Sequence, residues 1–216
     1  MHTIYSDGMN TPEEMIRTAI DSGLTTIAIT DHVWKTSDWV EKYVEELLDL
    51  KNKYYGKIEV LIGYEAKAIN TNGEVDVSGY LSEKADFRLG SVHRIPEYGS
   101  DYSFLTREQV LNDKVTAYKK WLETTINLLA NSDVDMIAHP FWALYKYDII
   151  PEDEDIIKLF SSACRKRKFL EFSYRYSNIN HYYFDAINNY PGYLTCLKYG
   201  SDSHSVEELK VASGSI

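Results

Sequence analysis

Long apolar runs are missing from this 216-residue chain, and with them any segment expected to span a membrane. The N-terminus carries no basic stretch followed by an apolar one, so the pattern of a secretory signal is absent. Cysteine is scarce. Cys164 and Cys196 lie outside any CxxC or zinc-ribbon spacing and are expected as reduced core thiols of a cytoplasmic protein. Positive charge is short as well: 23 Lys and Arg stand against 33 Asp and Glu, and the net charge of -10 argues against a surface that coats long nucleic acid. The one basic cluster, Arg165-Lys166-Arg167-Lys168, falls at the end of an expected helix, where it complements the helix dipole. No Pro/Gly/Ser-rich stretch, charge block or internal repeat divides the chain. Its 44% hydrophobic content suffices for one domain over residues 1–216 with a sizeable core. Tyrosine is abundant, but it packs its ring and wets its hydroxyl in many settings and names no ligand.

What is present alternates β with α. Thr11-Pro12-Glu13-Glu14 is a helix start, with Thr as N-cap, Pro at N1 and Glu closing a capping box. Met15, Ile16, Ala19 and Ile20 follow at helical spacing, and Gly23 stops the helix. Thr25 to Thr30 is a β-branched strand ending in Asp31-His32, and a helix of mixed charge is expected from about Asp38 to Tyr54. The strand Ile58 to Gly63 delivers Tyr64-Glu65, and Asn72-Gly73 suits a two-residue hairpin turn between 66–69 and 74–77. Phe87 to Val92 delivers His93. A long helix from Thr106 to Ala130 and the strand Val134 to Ala138 deliver His139. A helix over 152–167, a strand over 169–172, a weaker helix near 180–188 and a strand over 194–199 lead to Asp202 and His204. Counting the start at Met1-His2, this makes seven strands.

Five of the six histidines (His2, His32, His93, His139 and His204) sit where an apolar run ends, four of them beside Pro, Asp, Ser or Thr and His93 two residues after Ser91. Imidazoles at successive strand ends, with carboxylates among them, are how a barrel builds a multinuclear metal site on one rim, whereas an open sheet would gather its ligands at one crevice. Eight candidate ligands result: His2, Asp7, His32, Glu65, His93, His139, Asp202 and His204. That is too many for one tetrahedral ion and suits two or three divalent ions (Zn, Mn or Fe) about 3.5–4 Å apart. Taken singly, each has a plainer reading: a buried His can be a satisfied core residue, Asp31 can cap a helix, and Glu65 can be a surface charge beside the hairpin. The shared context of the five histidines outweighs these. His181, with no strand before it, is read as a surface or rim residue.

These residues resemble the motifs of the PHP (polymerase and histidinol phosphatase) phosphoesterases. That family opens on HxHTxxSDG, and His2-Thr3-Ile4-Tyr5-Ser6-Asp7-Gly8 matches from the second His onward. Thr30-Asp31-His32 resembles its TDH, Gly63-Tyr64-Glu65 its GxE, Ser91-Val92-His93 its SxH, His139-Pro140 its HP, and Ser201-Asp202-Ser203-His204 its SDxH. The resemblance implies an α/β fold, a distorted (β/α)7 TIM-like barrel with the metal site at the C-terminal rim of the strands. It also implies a division of ligands. His2, Glu65 and Asp202 would serve one ion, with Glu65 bridging to a second held by His93 and His139, and Asp7, His32 and His204 would hold a third. The family's first His would fall immediately before Met1, so the native chain is expected to begin upstream. Only 12 residues follow His204.

The expected activity is hydrolysis of a phosphate monoester, histidinol-phosphatase-like, by metal-activated water. Asp7 or His204 would protonate the leaving alkoxide, and Arg94 and Arg175 would clamp the phosphate, with a weaker case for Lys67. A small phosphorylated substrate is the expected partner, with no membrane and no long nucleic acid. Two alternatives stand beside it: a phosphodiesterase or exonuclease acting on small nucleotides or oligonucleotide ends, and a metal-binding domain whose turnover the absent first His has disabled. Specificity would lie in the loops Pro96–Phe104 and Phe141–Pro151, which carry Tyr98, Tyr102, Trp142, Tyr145 and Tyr147.

Overall fold

Helix α1 (Pro12–Asp21) starts at the expected capping box: the Thr11 hydroxyl accepts from the Glu14 N–H, and the Glu14 carboxylate accepts from the Thr11 N–H. Its buried face is Met15, Ile16 and Ala19. Gly23, at φ +74°, then turns the chain toward β1 (Thr26–Ile29). The computed structural model describes residues 1–180, 184 and 186–214.

Within these residues the chain divides into two units, one drawn from 1–66, 77–89 and the described residues after 199, the other from 67–76 and the described residues of 90–199. In the first unit β1 pairs in parallel with β3 (Glu59–Lys67), Thr26 opposite Glu59 and Ile29 opposite Ile62. Between them in sequence, β2 (His32–Val33) resumes parallel pairing on the same strand, with His32 opposite Glu65. The expected strand therefore does not end before His32. It breaks at Thr30-Asp31 and continues, so His32 is itself a strand residue. Helix α2 (Val40–Lys53) covers this sheet with Val40, Tyr43, Val44 and Leu47. The Tyr43 hydroxyl, buried among them, meets the carbonyl oxygens of both Ile29 (3.0 Å) and Gly63 (2.8 Å). Gly63 admits no side chain, because a Cβ there would lie 2.7 Å from the Phe87 carbonyl oxygen. A short helix, α3 (Gly79–Lys84), packs on α2 and leads to β4 (Phe87–Ser91).

The second unit opens with the hairpin read from Asn72-Gly73: Gly73 sits at φ +77°, Ala68 bridges Val75 in antiparallel fashion, and the Ile69 N–H donates to the Glu74 oxygen at 2.8 Å. The single helix expected over 106–130 is two, α4 (Arg107–Asn112) and α5 (Lys114–Leu128). Asp113 separates them at φ -141°, and its carboxylate accepts from the Thr116 N–H at 2.9 Å, capping a new helix rather than prolonging the old one. After β5 (Met136–Ile137), α6 (Trp142–Tyr145) and α7 (Asp153–Lys166), strand β6 (Phe169–Ser173) pairs in parallel with β5, Met136 opposite Phe169. Trp121, Leu128, Ile137, Phe160 and Leu170 form the core, and the Trp121 indole donates to the Pro140 oxygen at 3.0 Å. The basic run ends α7 as expected, with Arg167 in the left-handed C-cap conformation at φ +56°. The strand expected from 194 is shorter: Pro191–Cys196 is a 3-10 helix and β7 is Leu197–Gly200. Helix α8 (Val206–Ala212) closes the first unit by packing on α1.

Seven strands are present among the described residues, though not the seven expected: His32–Val33 is one and Met1-His2 is not. Of the helix expected near 180–188, residues 181–183 and 185, His181 among them, lie outside the described residues, and 184, 186 and 187 are helical. Cys164 and Cys196 are not two reduced thiols but a disulfide, with Cα atoms 5.4 Å apart. The packing of α7 on the 191–196 helix brings together residues 32 apart, a proximity that no short-range cysteine spacing encodes. No helix among the described residues is long and apolar enough to cross a membrane.

Candidate metal centre

Six of the eight candidate ligands belong to the first unit, and the fold brings them together. The His2 N–H donates to the Ser203 oxygen at 2.9 Å, and Met9 donates to the His204 oxygen at 2.7 Å, so the N-terminal loop lies along the 202–204 turn. The loop is tight: a Cβ on Gly8 would lie 2.4 Å from the His2 carbonyl oxygen. His2, almost fully buried, points Nε2 at Asp202 Oδ1 (3.0 Å) and Glu65 Oε2 (3.5 Å). Its ring stands 4.4 Å from that of His32 and 4.3 Å from that of His204. Asp7 Oδ2 lies 3.7 Å from His32 Nε2 and 3.5 Å from His204 Nε2. Parallel register sets His32 beside Glu65, and Asp202, at φ +50°, turns its carboxylate inward rather than along an extended chain. Within the first unit two groupings have ligand atoms all within 4.8 Å: His2, Asp7, His32 and His204, and His2, Glu65 and Asp202.

The field at this cluster favours positive charge. Burial works against protonation of His2, but hydrogen bonds to Asp202 and Glu65 outweigh it and push its pKa up to about 9. Burial also opposes ionisation of Asp7, yet His32, His2 and His204 hold its carboxyl below the ordinary value. His2 Nδ1 is buried and makes no hydrogen bond within the described residues. A lone pair or proton on a buried nitrogen, faced by carboxylates that stabilise positive charge, fits a divalent cation, and the mixed nitrogen and oxygen donors suit Zn, Mn or Fe.

His93 and His139 lie in the second unit with ring centroids 5.0 Å apart. Trp142 and Tyr176 surround them, the Tyr176 ring 5.4 Å from His139 and the Trp142 ring 6.2 Å from His93. Arg94 is exposed and stacks its guanidinium over Phe104, 4.8 Å from the ring centroid; Arg175 is exposed in the turn after β6. Lys67 lies 3.4 Å from Asp76.

Two supporting residues escaped the sequence reading. Asp31, for which helix capping was the plainer alternative, is fully buried and accepts from the Thr3 N–H (2.7 Å), the Thr3 hydroxyl (2.8 Å) and the Ser6 hydroxyl (2.7 Å), which pins the loop carrying His2 and Asp7. The only available signal was its place beside His32. Glu171, in the middle of an apolar strand, is buried and accepts the His139 N–H at 2.6 Å. A charge inside an apolar run was the signal that pointed to it.

Residues 1–175 match the sequence profile of the PHP domain. Among curated proteins, the "Probable histidinol-phosphatase" of Deinococcus radiodurans is 23% identical over 175 residues, covering 69% of this chain and 67% of that protein. A "Probable phosphatase" of Acetivibrio thermocellus is 29% identical over 175 residues, covering 80% and 62%. The chain thus spans between 53% and 67% of the length of the first curated relatives it matches. The structure of histidinol phosphate phosphatase from Lactococcus lactis, complexed with zinc, L-histidinol and phosphate, is similar with a TM-score of 0.66 at 18% identity over 100% of this chain and 91% of that one. A Listeria monocytogenes structure assigned as a histidinol phosphatase is similar with a TM-score of 0.71 at 16% identity, covering 96% and 95%. At such identities the likeness shows the fold, which is the α/β, distorted TIM-like barrel class. With the profile covering 175 of 216 residues, motif and fold agree: this chain belongs to the PHP domain family.

Proposed function

We propose that this protein hydrolyses a phosphate monoester of a small alcohol, in the manner of a histidinol phosphatase, using two or three divalent ions (Zn, Mn or Fe). The observation that carries the reading is the convergence of three imidazoles and three carboxylates on one another in the first unit. His2, Asp7, His32, Glu65, Asp202 and His204 are the proposed ligands there, with His93 and His139 as further ligands from the second unit. When bound, the ions supply Lewis acidity toward the phosphoryl oxygens and lower the pKa of water. Three carboxylates neutralise half the charge of three divalent ions, so the pocket stays cationic in an acidic protein and favours a phosphoryl group. Asp7 is the half-exposed carboxylate of the cluster, its side chain 55% accessible, and with His204 beside it is proposed to relay a proton from solvent water to the departing alkoxide. Arg94 and Arg175, both exposed, are the proposed phosphate clamps. The chain is read as one metallophosphoesterase domain. The cytoplasmic location, part of the same reading, loses its thiol argument with the Cys164–Cys196 bond.

The test is phosphate release from histidinol phosphate by manganese-loaded protein, with His32→Ala as control. Release that the control abolishes supports the reading. Absence of release from a panel of phosphate monoesters, by protein shown to hold metal, overturns it. Release from small nucleotide diesters instead would move the assignment to a phosphodiesterase.

A further inference from the structure

We infer that Glu171 is a positioning residue, which sets the backbone of His139 so that its imidazole can ligate a metal ion. Glu171 sits on β6 with 4% of its surface exposed, and its Oε2 accepts the His139 N–H at 2.6 Å. A carboxylate so buried is costly to desolvate and is retained where its hydrogen bonds matter. His139 has φ +28°, a region that side chains bearing a Cβ rarely adopt, and the proline that follows restricts its backbone further. Such a conformation persists only where the surroundings over-determine it. Here the carboxylate takes the N–H on one side, and the His139 carbonyl accepts from the Trp142 N–H at 3.0 Å on the other. Both peptide groups of His139 are thereby clamped, and the ring is aimed toward His93.

Glu171 reaches His139 through the backbone N–H, which gives it a role distinct from that of a ligand. A short bond from a backbone amide to a carboxylate is the charge-assisted kind, roughly twice as strong as its neutral counterpart, so a neutral oxygen at the same place keeps part of it. The inference rests on the reading of His139 as a ligand, and the experiment separates the two.

Apo protein is prepared with a chelator, and zinc affinity is measured by competition with a chromophoric chelator for the wild type, His139→Ala, Glu171→Ala and Glu171→Gln. Loss of an outer-shell partner weakens metal binding about 10–100-fold, the result expected for Glu171→Ala. Gln keeps an oxygen acceptor of about half the strength, so Glu171→Gln is expected to lose only about 3–10-fold. Excess metal then restores most of kcat in both variants, since the ligands remain. If His139→Ala binds zinc as the wild type does, the ligand reading of His139 fails and the inference falls with it. If His139→Ala weakens binding while Glu171→Ala and Glu171→Gln do not, only the positioning role is overturned. Equal losses for Gln and Ala overturn it too, because the carboxylate would then act by its charge. Should Glu171→Ala fail to fold, the Gln variant alone decides: a loss of about 3–10-fold supports the role and wild-type affinity overturns it.

Discussion

The two histidine clusters are held by different physics. In the first unit imidazoles and carboxylates hold each other: His2 meets Asp202 at 3.0 Å and Glu65 at 3.5 Å, and Asp7 lies between His32 and His204. In the second, His93 and His139 lie among the rings of Trp142 and Tyr176, and the Glu171 carboxylate binds the backbone of His139. The first arrangement is electrostatic and builds a field for a cation, visible as the raised pKa of His2. The second is conformational: packing and a backbone hydrogen bond fix the ring's direction. Metal affinity should therefore depend on charge in the first unit and on backbone geometry in the second.

The largest effect expected is from Asp202→Asn, which removes one of the two carboxylates nearest His2. Zinc affinity by equilibrium dialysis should fall by more than the about 10–100-fold set for outer-shell partners. A smaller loss than that of Glu171→Ala would break the comparison, because charge would then not dominate the first cluster.

Asp31→Ala comes next and acts on stability. It strands the Thr3 N–H and hydroxyl in a buried site, while the half-buried Ser6 hydroxyl keeps Asp7 as acceptor. At about 1–3 kcal/mol for each of these two stranded groups, the loss is about 2–6 kcal/mol. The Tm of the metal-free protein should drop by about 4–24 °C by calorimetry, given about 2–4 °C per kcal/mol at this size. An unchanged Tm would show that the loop bearing His2 and Asp7 is not pinned by Asp31.

The smallest of the three effects belongs to the second unit. Reducing Cys164–Cys196 opens a loop of 32 residues, worth about 3–4 kcal/mol by chain entropy and often less in practice. Hydrogen exchange should quicken in α7 and the 191–196 helix while α1 keeps its protection. Equal loss of protection in α1 would show that the two units open together.

Much of the fold could be read locally. The capping box at Thr11, the Asn72-Gly73 turn and the apolar face of α2 need only near neighbours in sequence, and each is where the pattern places it. The misreadings are of another kind. The 106–130 stretch has helical character throughout, and the break at Asp113 is decided by its own side chain capping the next turn. His32 was expected after a strand, yet β3 extends far enough to pair it as part of β2. The Cys164–Cys196 bond depends on how α7 packs against a distant helix.

The sequence alone determined which residues carry the chemistry: the histidines at the ends of apolar runs, the carboxylates near them, and hence the family. Imidazoles and carboxylates are few and chemically distinct, so their positions are legible without a fold. Tertiary structure alone decided how they are held. Asp31 reaches back 28 residues to Thr3, Glu171 reaches 32 residues to the backbone of His139, and Asp202 crosses 200 residues to His2. Hydrogen bonds over such separations have no periodicity and leave no local pattern, because they exist only after the strands have paired.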